Sequence, residues 1–177
     1  MILLYDTLAT TSMHGKYWVN GGLLLGCVRD GGPLPGDDDV DFSFWAVDRD
    51  RMIEALRVLE NKGFCRRKKR PNNDRTFTKW SLRFQGVDYD FIQMEDHGST
   101  MRWISHAGTP GLEILNEVPN HGLKGMELYD RQWMIPDDPD TYLQALYGDW
   151  RHPDPNYCFW DDSQAVIKKY PRIKHPK

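Results

Sequence analysis

The chain has 177 residues, 40% hydrophobic and 12% aromatic, with 23 Lys and Arg against 26 Asp and Glu for a formal net charge of -3. That length fits one domain with at most a small C-terminal extension. It buries roughly two-thirds of the surface its unfolded form exposes, so no disulfide framework is needed. The near-neutral balance lacks the basic excess with which proteins grip nucleic-acid phosphates, so there is no strong nucleic-acid signal.

Cys27, Cys65 and Cys158 are far apart and form no CxxC pair, which argues against a zinc site and suits a reducing compartment. The longest apolar run, residues 19–28, is interrupted by Asn20 and three glycines and is too short to span a bilayer. The first residues lack the basic flank and small-residue cleavage site of a secretory signal. The expectation is a soluble, cytoplasmic protein that is not transmembrane.

Residues 2–13 read as a short helix on Leu3, Leu4, Leu8 and Met13. Tyr17-Trp18-Val19 starts a strand that ends at Gly21-Gly22, and residues 23–28 form a short helix after the glycine pair. Gly31-Gly32-Pro33-Leu34-Pro35-Gly36 is too dense in proline and glycine for either regular period. Over residues 40–47, Val40, Phe42, Phe44 and Ala46 alternate with Asp41, Ser43 and Trp45, the period of a strand. Asp48 or Asp50 is the expected cap of a helix with Met52, Ile53, Leu56 and Leu59 on its apolar face, ended by Gly63.

Strands are expected at about 64–69, 76–84 and 87–94, divided by turn chemistry at Pro71-Asn72-Asn73-Asp74 and at Gln85-Gly86. A less regular middle follows, then a hairpin from residues 127–130 and 132–135. A helix begins at Asp138-Pro139, where proline suits the first turn, runs to Tyr147 and stops at Gly148. The tail after Trp150, rich in proline and aromatic residues, is expected to wrap the surface. The sequence has no internal repeat, and its elements add up to an α+β fold with a mixed β-sheet flanked by helices.

Asp37, Asp39 and Asp41 occupy alternate positions. In an extended chain alternate side chains share one face, so these carboxylates converge. Aspartate is a poor strand former, and like charges this close repel unless a cation sits among them. Mg²⁺ suits such a site because it takes one or two carboxylates and completes its shell with water and substrate phosphate; Mn²⁺ is the substitute. Val87-Asp88-Tyr89-Asp90-Phe91-Ile92 repeats the pattern. Two such strands side by side would make a two-metal site, with cations about 4 Å apart clamping a phosphate during in-line displacement.

Gly21 and Gly22 at a strand-to-helix turn let backbone approach a phosphate, and the helix N-terminus offers free N–H groups and a positive dipole end. Arg29, farther along, adds a bidentate phosphate contact. A solvated acidic turn is the plain alternative, opposed by the interleaved Val40, Phe42 and Phe44. A calcium-binding EF-hand loop is the sharper rival, with Asp37, Asp39, Asp41 and Asp48 at the ligand spacing. Phe42 replaces its required glycine, and Pro33 and Pro35 forbid the entering helix.

The segment from Gly21-Gly22 through Leu24-Leu25-Gly26, Arg29, Gly32 and Pro35 to Asp37-Asp38-Asp39-Val40-Asp41 resembles the signature of the LicD family, which includes the fukutin-related transferases. Tyr89-Asp90-Phe91 is similar to the family's third carboxylate strand. Pro136, Tyr142-Leu143 and Tyr147-Gly148-Asp149-Trp150 resemble its C-terminal motif. The resemblance implies a nucleotidyltransferase-like catalytic domain at 1–150, with an extension at 151–177 packing on it.

The implied activity is Mg-dependent transfer of a phospho-alcohol, such as phosphocholine or ribitol phosphate, from a CDP-activated donor to a sugar or glycan hydroxyl. Asp39 and Asp41 match the family's metal pair, Asp37 the preceding acidic position, and Asp90 the third carboxylate, a metal ligand or general base. Gly21, Gly22 and Arg29 match the donor-phosphate contacts. Leu23 stands where a small hydroxyl residue is usual, and Gly36 where tryptophan is usual.

A nucleotidyltransferase that uses an NTP and hands its nucleoside monophosphate to a small molecule, protein or RNA is the alternative within the same chemistry. A metal-dependent binding module is the alternative outside it. The basic run Arg66-Arg67-Lys68-Lys69-Arg70 reads as a solvated hairpin arm ahead of an anchor for a polyanionic acceptor or anionic lipid. Lys79 and Arg83 share a strand face that would point at substrate phosphate. His97 and His106 lie beyond the Asp90 strand, and surface or packing roles are favoured for both.

Overall fold

A computed structural model describes residues 1–67, 79–106 and 112–171. The expected turn at Pro71 to Asp74, the start of the strand at 76 and the end of the basic run lie outside the described residues.

The chain opens with α1 (Ile2–Leu8), β1 (Tyr17–Val19), α2 (Gly21–Arg29) and β2 (Asp39–Trp45). A 3-10 turn at Ala46–Asp48 leads into α3 (Arg49–Asn61), followed by β3 (Cys65–Arg66), β4 (Lys79–Phe84), β5 (Val87–Asp96), β6 (Thr100–His106) and β7 (Leu112–Pro119). The hairpin β8 (Leu123–Leu128) and β9 (Arg131–Pro136), then α4 (Pro139–Tyr147), α5 (Phe159–Asp162) and β10 (Val166–Pro171) complete the order.

The main sheet runs β1-β2-β5-β6-β7-β10, with β4 also on β5 and β3 on β4. β2 and β5 are parallel and the other pairs antiparallel, which makes the sheet mixed. The parallel pair is made possible by the crossover through α3, whose Met52, Ala55, Leu56 and Leu59 are buried at helical spacing.

On β2 the two-residue period separates apolar from acidic. Val40, Phe42 and Phe44 are buried in the core, while Asp39 and Asp41 take the alternate positions. Phe42 stacks on Phe91 and on Trp133, each with ring centroids 5.5 Å apart. Such pairs contribute about 0.5–1.5 kcal/mol beyond area burial, so the strand is anchored from one face while the other stays free for chemistry.

Several sequence expectations need correction: the first helix ends at Leu8, short of residue 13, and the strand expected from about 64 is only Cys65–Arg66 among the described residues. The less regular middle is the strand pair β6 and β7, where Met101, Trp103, Ile114 and Val118 are buried; Glu113 and Asn116, buried among them, interrupt the apolar pattern. The late hairpin begins at Leu123, and Tyr129-Asp130, at positive φ of 55° each, forms its two-residue turn. Gln85-Gly86 makes the same kind of turn between β4 and β5. Asp48 does not cap α3 with its side chain; its carboxylate accepts from Lys16 at 3.4 Å and Arg51 at 2.5 Å. The tail does more than wrap, since β10 pairs with β7. By contrast α4 starts at Asp138-Pro139 and stops at Gly148 (φ 68°) as expected, and Asp138 caps it by accepting from Thr141 N at 3.1 Å.

Candidate active site

The parallel register sets Asp39 opposite Asp88 and Asp41 opposite Asp90. All four are on one face of the sheet, because each strand places alternate residues on the same side. Asp39, Asp41 and Asp90 each offer a carboxylate oxygen within 4.8 Å of the others. Asp37 groups instead with Asp38 and Asp39 at the same separation, so Asp39 belongs to both clusters.

The fourth carboxylate of the face, Asp88, is taken by Arg67 and by Arg83, the latter at 3.7 Å. Lys79 is ion-paired with Asp90. Lys79 and Arg83, expected to point at an open phosphate position, therefore face carboxylates.

The turn between β1 and α2 sits against this cluster. A Cβ at Gly21 would lie 2.5 Å from Asp41 Oδ2, and φ is 59° there, so both space and conformation demand glycine. A Cβ at Gly22 would collide with Asp37 Oδ2. The N-terminus of α2 is thus held directly beside the carboxylates.

What holds it is a network that sequence reasoning missed. Asn20 N donates to Asp41 O at 2.9 Å, and Asn20 Nδ2 donates to Ser43 Oγ at 2.8 Å. Tyr142 OH, from α4, donates to Asn20 Oδ1 at 2.9 Å. All three side chains are buried. A signal was present: Ser43 continues the alternate-residue series of Asp39 and Asp41, and Asn20 interrupts an apolar run.

Burial, first, and then the neighbouring carboxylates against the opposing pull of Lys79 push Asp41 up to about 7. Burial, then Asp39 and Asp38, raise Asp37 to about 6. Asp39 is also raised, by burial and then by Asp90. Asp41 Oδ1 and Asp90 Oδ1 are buried and have no hydrogen-bond partner among the described residues. A buried, unpaired carboxylate oxygen is costly, and a hard divalent cation with oxygen ligands is the partner that fits this donor set.

Arg29 stands apart from the carboxylates. Its guanidinium forks onto Asp30 at 3.0 and 2.8 Å and reaches Trp150 O at 3.4 Å. It lines a cleft of about 1230 Å³ that it shares with Gly22, Asp37, Tyr147, Trp150 and His152. His106 lies 3.9 Å from Glu113, and neither it nor His97 joins the acidic groups. Leu23, where a hydroxyl residue is usual, is buried in the core.

A family profile described as LicD/FKTN/FKRP, nucleotidyltransferase domain, matches residues 14–141. The chain belongs to the LicD family. The matched stretch contains the glycine turn, both acidic strands and the start of α4. A 54-residue segment is 37% identical to uncharacterized protein RP689 of Rickettsia prowazekii (strain Madrid E), covering 30% of this chain and only 20% of that protein. The LicD chain thus matches about a fifth of the length of that relative. The crystal structure of ANT(2")-Ia in complex with adenylyl-2"-tobramycin is similar at a TM-score of 0.52 and 14% identity, over 89% of this chain and 80% of that one. The likeness establishes a nucleotidyltransferase fold for this LicD protein. Among the described residues no helix is long and apolar enough to cross a membrane.

Proposed function

We propose that the protein moves a phospho-alcohol group from a CDP-activated donor to a sugar or glycan hydroxyl, using Mg²⁺ or Mn²⁺ held by Asp39, Asp41 and Asp90. The observation that carries this reading is the meeting of those three carboxylates from two neighbouring strands, with buried oxygens of Asp41 and Asp90 left unpartnered. Asp37, within reach of Asp39, is the outer member of the set.

A bound divalent cation would neutralise donor phosphate charge and stabilise the leaving nucleotide. The chain's own groups do the rest. Gly21 and Gly22 let Asp41 and Asp37 pack against the N-terminus of α2, whose free N–H groups and dipole favour an anion beside them. Arg29 offers a fork from the adjoining cleft once it releases Asp30. The acceptor oxygen attacks the alcohol-bearing phosphorus, its proton passes to Asp90, and the bond from that phosphorus to the bridging oxygen breaks, so that CMP departs.

A second reading is transfer of a nucleoside monophosphate. It draws on the ANT(2")-Ia structure, whose bound molecule is adenylyl-2"-tobramycin. The carboxylate chemistry is the same, and only the retained half of the donor differs.

Incubation with labelled CTP, ATP, CDP-choline and CDP-ribitol, with a panel of glycan acceptors, separates the two by which half becomes covalently attached. The alcohol half is expected to transfer, and Asp41→Asn is expected to abolish it. Nucleotide binding that persists in Asp41→Asn, with no turnover by the parent, would leave a binding module instead.

A further inference from the structure

β4 runs antiparallel to β5 with Ser81 opposite Asp90 and Arg83 opposite Asp88. Lys79, Ser81 and Arg83 therefore share the face that carries the aspartates. Lys79 Nζ pairs with Asp90 Oδ2, and the charges of Asp41 and Asp39 act on it as well. Its side chain is 45% exposed overall, while its ammonium sits against the carboxylates.

The two flanks of the site thus differ. Asp41 Oδ1, on the β2 side, and Asp90 Oδ1 are both buried and unpartnered among the described residues, and only the second oxygen of Asp90 has a cation beside it. On the β4 side the chain already supplies cations, Arg67 and Arg83 to Asp88 and Lys79 to Asp90. A pair of divalent ions about 4 Å apart needs carboxylate oxygens free on both flanks. Lys79 occupies one of the two oxygens of Asp90, and a second ion beside it would meet the ammonium as a like charge.

We infer that Lys79 is a resident second cation: this chain takes one divalent ion, toward Asp39 and Asp41, while the Lys79 ammonium stands where a two-ion site would hold its other metal. This deepens the metal reading proposed above and rests on it. Lysine suits the task as a compact point charge on a flexible stem. It positions Asp90 and presents positive charge to the donor phosphate from the β4 side, with no additional ion to recruit.

The test is a Mn²⁺ titration of the full chain, with free Mn²⁺ counted by its electron paramagnetic resonance signal. One bound ion is expected on the wild type and two on Lys79→Met, with the broadened signal of a spin-coupled pair only in the variant. Lys79→Gln, uncharged and polar, is expected to give the same count and decides the matter if the methionine variant does not fold. Two ions on the wild type, or a single ion on the folded variants, would overturn the role of Lys79 and leave the metal site standing. No bound Mn²⁺ on any form would overturn both.

Discussion

Asp41 and Asp90 are direct partners across the parallel pairing of β2 and β5, and each keeps a buried oxygen without a hydrogen bond among the described residues. Two carboxylates do not adopt that arrangement for stability. Their mutual repulsion and desolvation oppose folding, and the aromatic stack of Phe42, Phe91 and Trp133 on the opposite face of the strands offsets the cost.

Asp41→Asn follows directly. It removes one ligand and a buried carboxylate whose Oδ1 has no hydrogen-bond partner among the described residues. Mg²⁺ affinity measured by calorimetry is expected to fall by more than the ~10–100-fold typical of losing a mere supporting partner. Thermal stability of the metal-free chain is expected to hold or rise. A variant that binds Mg²⁺ as the parent does would remove Asp41 from the site.

The raised carboxyls set a pH dependence whose sign is fixed. Asp41 at about 7 and Asp37 at about 6 stand above the unfolded value of about 4. Between those limits the folded chain binds more protons than the unfolded one, so stability falls as pH rises from about 4 to about 7. The metal-free protein is expected to melt at a lower temperature at pH 8 than at pH 5.5. Added Mg²⁺ should recover more of the loss at pH 8, and Asp41→Asn should flatten the profile. An equal slope in that variant would mean that other groups set it.

Much of this site is legible in the residues themselves. The alternation of Asp39, Asp41 and Ser43 with Val40, Phe42 and Phe44 states which face is apolar and which is polar, since side-chain direction in a strand depends only on the local period. Gly21 likewise announces a backbone that other residues avoid. The partners of Lys79 and Asp88 are not legible, because they depend on the register of β4 against β5, a relation between strands that no local pattern encodes. β6 and β7 were obscured for another reason: Glu113 and Asn116 are polar residues in buried positions, and they break the alternation that marks a strand.

Gly21→Ala separates conformation from contact. Its φ of 59° costs an alanine about 1 kcal/mol, and its Cβ would also strike Asp41 Oδ2. Gly15, at φ 72° with nothing within 4 Å of where a Cβ would lie, isolates the first cost. Gly15→Ala is expected to lower stability in urea by about 1 kcal/mol with kcat/KM unchanged. Gly21→Ala should lose at least as much stability and, in addition, most of its turnover. Equal turnover in the two variants would show that close approach to Asp41 is not needed.

Tyr142 tests whether the glycine turn must be held from α4. Tyr142→Phe keeps the ring and deletes the one hydroxyl that donates to Asn20 Oδ1 at 2.9 Å. That oxygen is buried, so its loss of a partner is expected to cost about 1–3 kcal/mol. Asn20 also donates to Ser43 Oγ and, through its backbone N–H, to the carbonyl of Asp41. Loosening Asn20 therefore loosens the turn that seats α2 against the carboxylates, while every proposed metal ligand remains. The variant is expected to bind Mg²⁺ within about threefold of the parent, because its ligand set is intact. Donor KM should rise, because the N-terminus of α2 is no longer fixed. Ser43→Ala removes the other partner of the Asn20 side chain and should shift KM in the same direction, with the double variant less than additive, as expected for residues in one network. Full additivity would mean that Asn20 does not couple the two elements.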